Sequence, residues 1–131
     1  MPKMLGARYL AELLVGYGVK AIFFKPSILS KMLAQMDDLP IRRILTHGEK
    51  AAAYMADGYA RATGKAGVCT APVGPGVTNL PSGIAQAFVE SSPVIALCGD
   101  IHTRHYGKGS SNFHEIDQQT LYRPITKMSR R

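Results

Sequence analysis

Four short apolar runs, Val19–Phe24, Ile41–Thr46, Gly67–Ala71 and Pro93–Cys98, punctuate the first hundred residues, and segments with apolar residues every three or four positions separate them. That alternation constrains the chain more than any other feature. Runs of this length bounded by Gly, Pro or charged residues suit strands buried on both faces, and the intervening period suits helices. Strands and helices that alternate in this way build a parallel sheet through right-handed crossovers. The expected fold class is α/β, a parallel sheet with helices on both faces.

The helical segments differ in character. Leu5, Tyr9, Leu10, Leu13, Leu14 and Tyr17 predict a helix over Met4–Tyr17, stopped by Gly18. Ile28, Leu29, Met32, Leu33 and Met36 predict a second, with Ser27 as its N-cap and Asp37-Asp38 and Pro40 as its end. From Glu49 to Thr63, closed by Gly64, the third helix carries Ala51, Ala52, Ala53, Ala56, Ala60 and Ala62. Small side chains let a helix axis come close to its neighbours, so this helix is expected to be sandwiched rather than half exposed. A fourth is expected from about Thr78 to Ser91. Met32, Met36 and Met55 fall in helical patterns and read as core. Periodicity fails from Ile101 to Gln119, which reads as a long loop, and Arg123–Met128 reads as one more short strand.

Composition narrows the class further. A chain of 131 residues with 46% hydrophobic and 19% charged residues suits one soluble globular domain. Cys69 and Cys98 lie apart in apolar runs, with no CxxC pair or disulfide framework, so a reducing cytoplasm is expected. No apolar stretch approaches the ~20 residues of a bilayer span, and no secretory leader opens the sequence. The net charge of +7 gathers toward the end: ten basic and seven acidic residues lie in 1–100, six and two in 101–131. Those basic residues are not interleaved with aromatics and match no nucleic-acid motif, so neither specific nucleic-acid binding nor a membrane role is expected.

In a parallel α/β sheet the loops leaving the carboxyl ends of the strands form the ligand crevice. Here they are Lys25-Pro26-Ser27, His47-Gly48-Glu49, Pro72 to Gly76, and Gly99 onward. All should meet on one edge of the sheet. Gly74-Pro75-Gly76 is not the dinucleotide fingerprint, whose third glycine position is Asn79 here, nor a P-loop, which needs a Lys-Ser/Thr pair. Taken alone it is either a tight turn or a place where backbone approaches a ligand. Glu49 is either a favourable charge at a helix N-terminus or a carboxylate at the ligand edge. His102 and His105 are three apart without a carboxylate or Cys partner, so no metal centre is expected, and His47 and His114 read as packing or surface groups.

Read as a whole, residues 47–100 carry a glutamate, an alanine-rich helix ending in ADGYARATGKAGV, a GPGVTN loop, a GIAQA helix and a strand opening at Pro93. This succession closely resembles the N-terminal pyrimidine-binding domain of thiamine diphosphate-dependent enzymes, most of all the acetolactate synthase, benzaldehyde lyase and oxalyl-CoA decarboxylase branch. The resemblance implies a flavodoxin-like thiamine diphosphate-binding fold spanning 1–131, a carboligase or decarboxylase acting on 2-keto acids or related acyl substrates, and a homo- or hetero-oligomer. It implies that Glu49 hydrogen-bonds a ring nitrogen of the aminopyrimidine and relays the proton that activates the thiazolium carbon. Pro26, Gly74, Pro75, Gly76 and Asn79 would surround the ring, with Thr78 and Asn79 steadying the loop and helix start. Ser27, Phe113 and His114 would face substrate.

Departures from the family pattern bear on the reaction more than on the cofactor. Pro26-Ser27-Ile28 stands where Pro-Gly-Gly is usual, His47-Gly48 where Arg-His is common, Val73 for a frequent Ser, and His114 for Gln. The family's diphosphate-binding domain, with a GDG motif and a downstream Asn that hold Mg²⁺, is not in this sequence. The pyrimidine domain is also usually longer by a helix and a last strand. The chain is therefore expected to be an incomplete half-site, inactive alone, with Mg²⁺ reaching the cofactor only through a partner domain or subunit. A non-catalytic interaction or regulatory module that keeps the fold is the alternative, and an unrelated flavodoxin-like nucleotide binder a third.

Overall fold

The structure is a computed structural model that describes residues 3–26, 30–108 and 114–131. Ser27, Ile28 and Phe113, singled out above, lie outside the described residues. The elements run in chain order as α1 (Gly6–Gly16), β1 (Ala21–Phe24), α2 (Ser30–Ala34), β2 (Arg42–Leu45), α3 (Glu49–Thr63), β3 (Gly67–Ala71), α4 (Pro75–Thr78), α5 (Pro81–Val89), β4 (Val94–Cys98) and α6 (Gln118–Tyr122). Among the described residues, single 3-10 turns also lie at Thr103–His105 and Arg123–Ile125. The four strands form one all-parallel sheet in the order β2-β1-β3-β4, with Ile22 beside Arg43 and Val68, and Cys69 beside Ala96.

Side chains alternate between the two faces, as the two-residue period of a strand requires. Ala21, Phe23, Cys69 and Ala71 pack beneath α3 and α5 with Ala52, Ala53, Ala56, Leu80 and Ile84. Ile22 and Val68 pack on the opposite face with Ala11, Leu14, Met32, Leu33 and Met36. The alanine stripe works as its composition predicts. Ala52, Ala53 and Ala56 are fully buried, and α3 lies between β3 and α5. A Cβ added at Gly83 of α5 would sit 2.5 Å from the Ala53 Cβ. Gly64 ends α3 in the left-handed conformation, φ 66°, which glycine adopts without steric cost.

Four expectations are corrected. The helix expected from Thr78 to Ser91 is two, α4 and α5, because Pro81 has no N–H to continue the ladder and opens a new helix instead. The strand expected over Arg123–Met128 is absent: α6 already runs over Gln118–Tyr122, started by the Asp117 carboxylate accepting from Thr120 N–H at 3.0 Å, and the 3-10 turn continues it. The same cap ends the loop expected through Gln119 two residues early, at Asp117. Met55 is 47% exposed on the outer side of α3, whereas Met32 and Met36 are core.

Tyr122 anchors this last helix. It is buried, and its hydroxyl donates to the Val77 carbonyl at 2.6 Å, tying α6 to α4 across 45 residues of chain. Leu80 N–H reaches the same carbonyl at 3.3 Å, so removing the hydroxyl leaves that oxygen partly served. Tyr122→Phe should therefore cost about 1 kcal/mol. A lowered urea midpoint at constant slope is the expected reading, and an unchanged midpoint would show that the bond adds nothing.

The sheet's two edges are unlike. β2 presents Arg42 and Arg43, both exposed, and such charges oppose further strand pairing. β4 presents Val94, Ile95 and Ala96 beside a groove of about 1490 Å³ floored by Leu10, Met32, Ile84 and Phe88. Neither Glu49 nor Gly74 to Gly76 lines that groove.

Candidate active site

Each parallel strand hands its loop to the same edge. Thr46, at the end of β2, fixes the first junction: its N–H and hydroxyl both donate to the Phe24 carbonyl, at 2.8 and 3.1 Å, and the hydroxyl also lies 2.9 Å from the Gly48 carbonyl. Gly48 is extended, so the chain turns directly into α3 with Glu49 as its first residue. Glu49 is 5% exposed. Its Oε2 accepts from Asn79 Nδ2 at 3.1 Å, and Lys25 Nζ stands 3.8 Å from its Oε1. Carboxylate, amide and ammonium come from the loops after β2, β3 and β1, so three of the four loops converge.

The Gly74-Pro75-Gly76 turn forms the wall facing Glu49. Gly74 has φ 67° and ψ −118°, a conformation that side-chain-bearing residues avoid, and it starts α4 with Pro75 in the first turn. At Gly76 an added Cβ would press into the Pro72 ring and lie 3.3 Å from Glu49 Oε1. At Gly74 it would lie 2.5 Å from the His114 Cβ and 2.7 Å from the His114 carbonyl oxygen. His114 has φ 64°, a strained value for an imidazole-bearing residue. The fourth loop closes behind this wall, with Gly99 N–H donating to the Ala71 carbonyl at 2.9 Å and Gln118 Nε2 donating to the Gly99 carbonyl at 2.8 Å.

The placements refine the reading of the sequence. Asn79, expected to steady the loop, contacts Glu49 itself, and Thr78 does the local work by donating from its hydroxyl to the Pro75 carbonyl at 2.8 Å. Pro26, in the loop after β1, and His47, in the loop after β2, are both exposed. His114 abuts the glycine turn. Lys25 was not singled out, although it directly precedes Pro26 at the carboxyl end of β1, where a charged side chain enters the crevice. Both thiols are inert near neutral pH: burial pushes Cys69 up to about 12 and Cys98 up to about 11.

A buried carboxylate held by one amide, beside a glycine turn on the carboxyl edge of a parallel sheet, places the chain in the class of α/β proteins whose ligand crevice lies at that edge. Sequence comparison agrees with that class. The pattern of the thiamine pyrophosphate enzyme N-terminal TPP binding domain matches residues 4–121. The chain belongs to this family, whose cofactor is thiamine diphosphate. It is 48% identical over 127 residues to a probable acetolactate synthase large subunit of Methanocaldococcus jannaschii, covering 95% of this chain and 21% of that protein. It is 41% identical over 122 residues to a probable 2-ketoarginine decarboxylase of Pseudomonas aeruginosa, covering 92% and 22%. The large subunit of acetolactate synthase isozyme 2 of Escherichia coli is 38% identical over 127 residues, covering 96% and 23%. The chain thus spans about a fifth of the length of these relatives. Among the described residues no helix is long and apolar enough to cross a membrane.

Proposed function

We propose that this chain supplies the pyrimidine-binding half of a thiamine diphosphate site that breaks or forms carbon–carbon bonds next to a carbonyl, in 2-keto acids or related acyl substrates. The observation that carries the reading is Glu49, a buried carboxylate on the carboxyl edge of the sheet, with Oε2 committed to Asn79 and Oε1 beside Gly76. A flat heterocycle entering the crevice beside the glycine turn would meet this acid, which can exchange a proton with a ring nitrogen. When bound, the cofactor supplies a thiazolium carbon that attacks the carbonyl and then accepts the electron pair of the broken bond.

The protein's part is to position and to move protons. Asn79 fixes the plane of the Glu49 carboxylate. Pro26, Gly74, Pro75 and Gly76 border the ring. Glu49 gives its proton to the ring nitrogen and takes it back, a transfer whose efficiency depends on geometry first. His114, which abuts the glycine turn, would face substrate, and the family resemblance assigns Ser27 and Phe113 the same role. The diphosphate and its Mg²⁺ are held by a partner domain or subunit in an oligomer, in the reducing cytoplasm, so catalysis requires both halves.

The test is reconstitution. The chain mixed with a diphosphate-binding partner, Mg²⁺ and thiamine diphosphate should consume a 2-keto acid, and neither component alone should do so. Full turnover by the partner without this chain would refute the reading.

A further inference from the structure

Glu49 has one oxygen to offer a ligand, and Lys25 faces it. Oε2 is taken by the Asn79 amide, whereas Oε1 is bounded on one side by Gly76 and lies 3.8 Å from the Lys25 ammonium on another. That distance exceeds hydrogen-bond reach, so the two form an ion pair without a direct bond. The Lys25 side chain is 46% exposed and that of Glu49 only 6%. The asymmetry matters, because a buried carboxylate is costly without a counter-charge, whereas a half-exposed ammonium on a flexible four-carbon stem swings into water easily.

We propose that Lys25 is a positioning residue acting through Glu49. It holds Oε1 in the ligand-free chain and yields that oxygen when an aminopyrimidine ring enters, so its ion pair is subtracted from the ring's binding free energy. The inference rests on Glu49 being the ring's contact. The ring nitrogen needs the carboxyl proton at Oε1, whereas the ammonium needs the bare oxygen, so the two compete for one atom.

The test uses the full chain and the hydroxymethyl-aminopyrimidine fragment of the cofactor. The fragment carries no charge, so long-range repulsion by Lys25 does not contribute. Titrations followed through the amides of Lys50, Gly76 and Asn79 by NMR should show Lys25→Met binding the fragment about two- to fivefold more tightly than the parent, the range expected of a partly exposed ion pair. Lys25→Arg should stay near the parent. Equal or weaker binding by Lys25→Met overturns this inference alone, whereas no binding by either protein removes the ring site and the proposed function with it. Thermal melting without ligand gives a second readout. Lys25→Met should melt below the parent, and the difference should vanish in a Glu49→Gln background. A difference that persists there would show that Lys25 does not act through Glu49.

Discussion

Glu49→Gln should slow proton exchange at the cofactor's thiazolium carbon by about 10²- to 10⁴-fold, the usual contribution of a positioned acid–base group. The substitution keeps the shape of the side chain and its place at the start of α3. The glutamine oxygen can still accept from Asn79 Nδ2, now 3.1 Å from Oε2, so the loop after β3 should keep its position. What is lost is the proton itself: an amide donates a hydrogen bond to a ring nitrogen without transferring the proton. Binding and assembly should therefore survive while exchange collapses. NMR of the reconstituted protein with Mg²⁺ measures this step without knowledge of the substrate. Exchange at the parent rate would take the relay away from Glu49 and would favour a fold kept for interaction alone.

Much of this site was legible because its parts are local. Gly64 closes α3 where a glycine stop signal stands, and Glu49 opens it immediately after a two-residue turn. The alanine stripe announced a sandwiched helix because burial of small residues follows directly from the helical period. The contacts that assemble the candidate site are not local. Asn79 and Glu49 are 30 residues apart, and only the parallel order of β1, β2 and β3 brings them together. Lys25 escaped notice for the same reason, since a lysine after an apolar run is ordinarily a solvated strand end. The misread segments failed by competition between signals. Apolar residues run through Val77, Leu80 and Ile84 as if one helix held them, yet Pro81 divides it. Ile125 and Met128 suggest a strand, yet the Asp117 cap and the Tyr122 anchor start a helix at Gln118 that runs into a 3-10 turn ending at Ile125.

Gly67→Ala should be the most damaging single-methyl change in the chain, costing about 3 kcal/mol or more, at the upper end of overpacking effects. Gly67 begins β3 directly beneath α3, its N–H bonded to the Pro93 carbonyl at 3.0 Å. An added Cβ would overlap the Ala56 carbonyl oxygen and lie 2.7 Å from the Ala56 carbonyl carbon. These are backbone atoms in mid-helix, so no rotamer change relieves the clash, and helix or strand must shift as a body. Gly58→Ala is the natural control. It lies on the exposed side of the same helix with nothing within 4 Å of an added Cβ, and it should stabilise by about 0.5–1 kcal/mol because alanine favours the helix. Equilibrium denaturation should thus move the two midpoints in opposite directions, and equal midpoints would mean that α3 does not approach β3 this closely. The consequence reaches the site, because Glu49 rides on the first turn of α3 and Asn79 on the loop that follows β3. If Gly67→Ala folds at all, lifting α3 from the strand should separate carboxylate from amide, and proton exchange should fall with stability even though residue 67 touches neither.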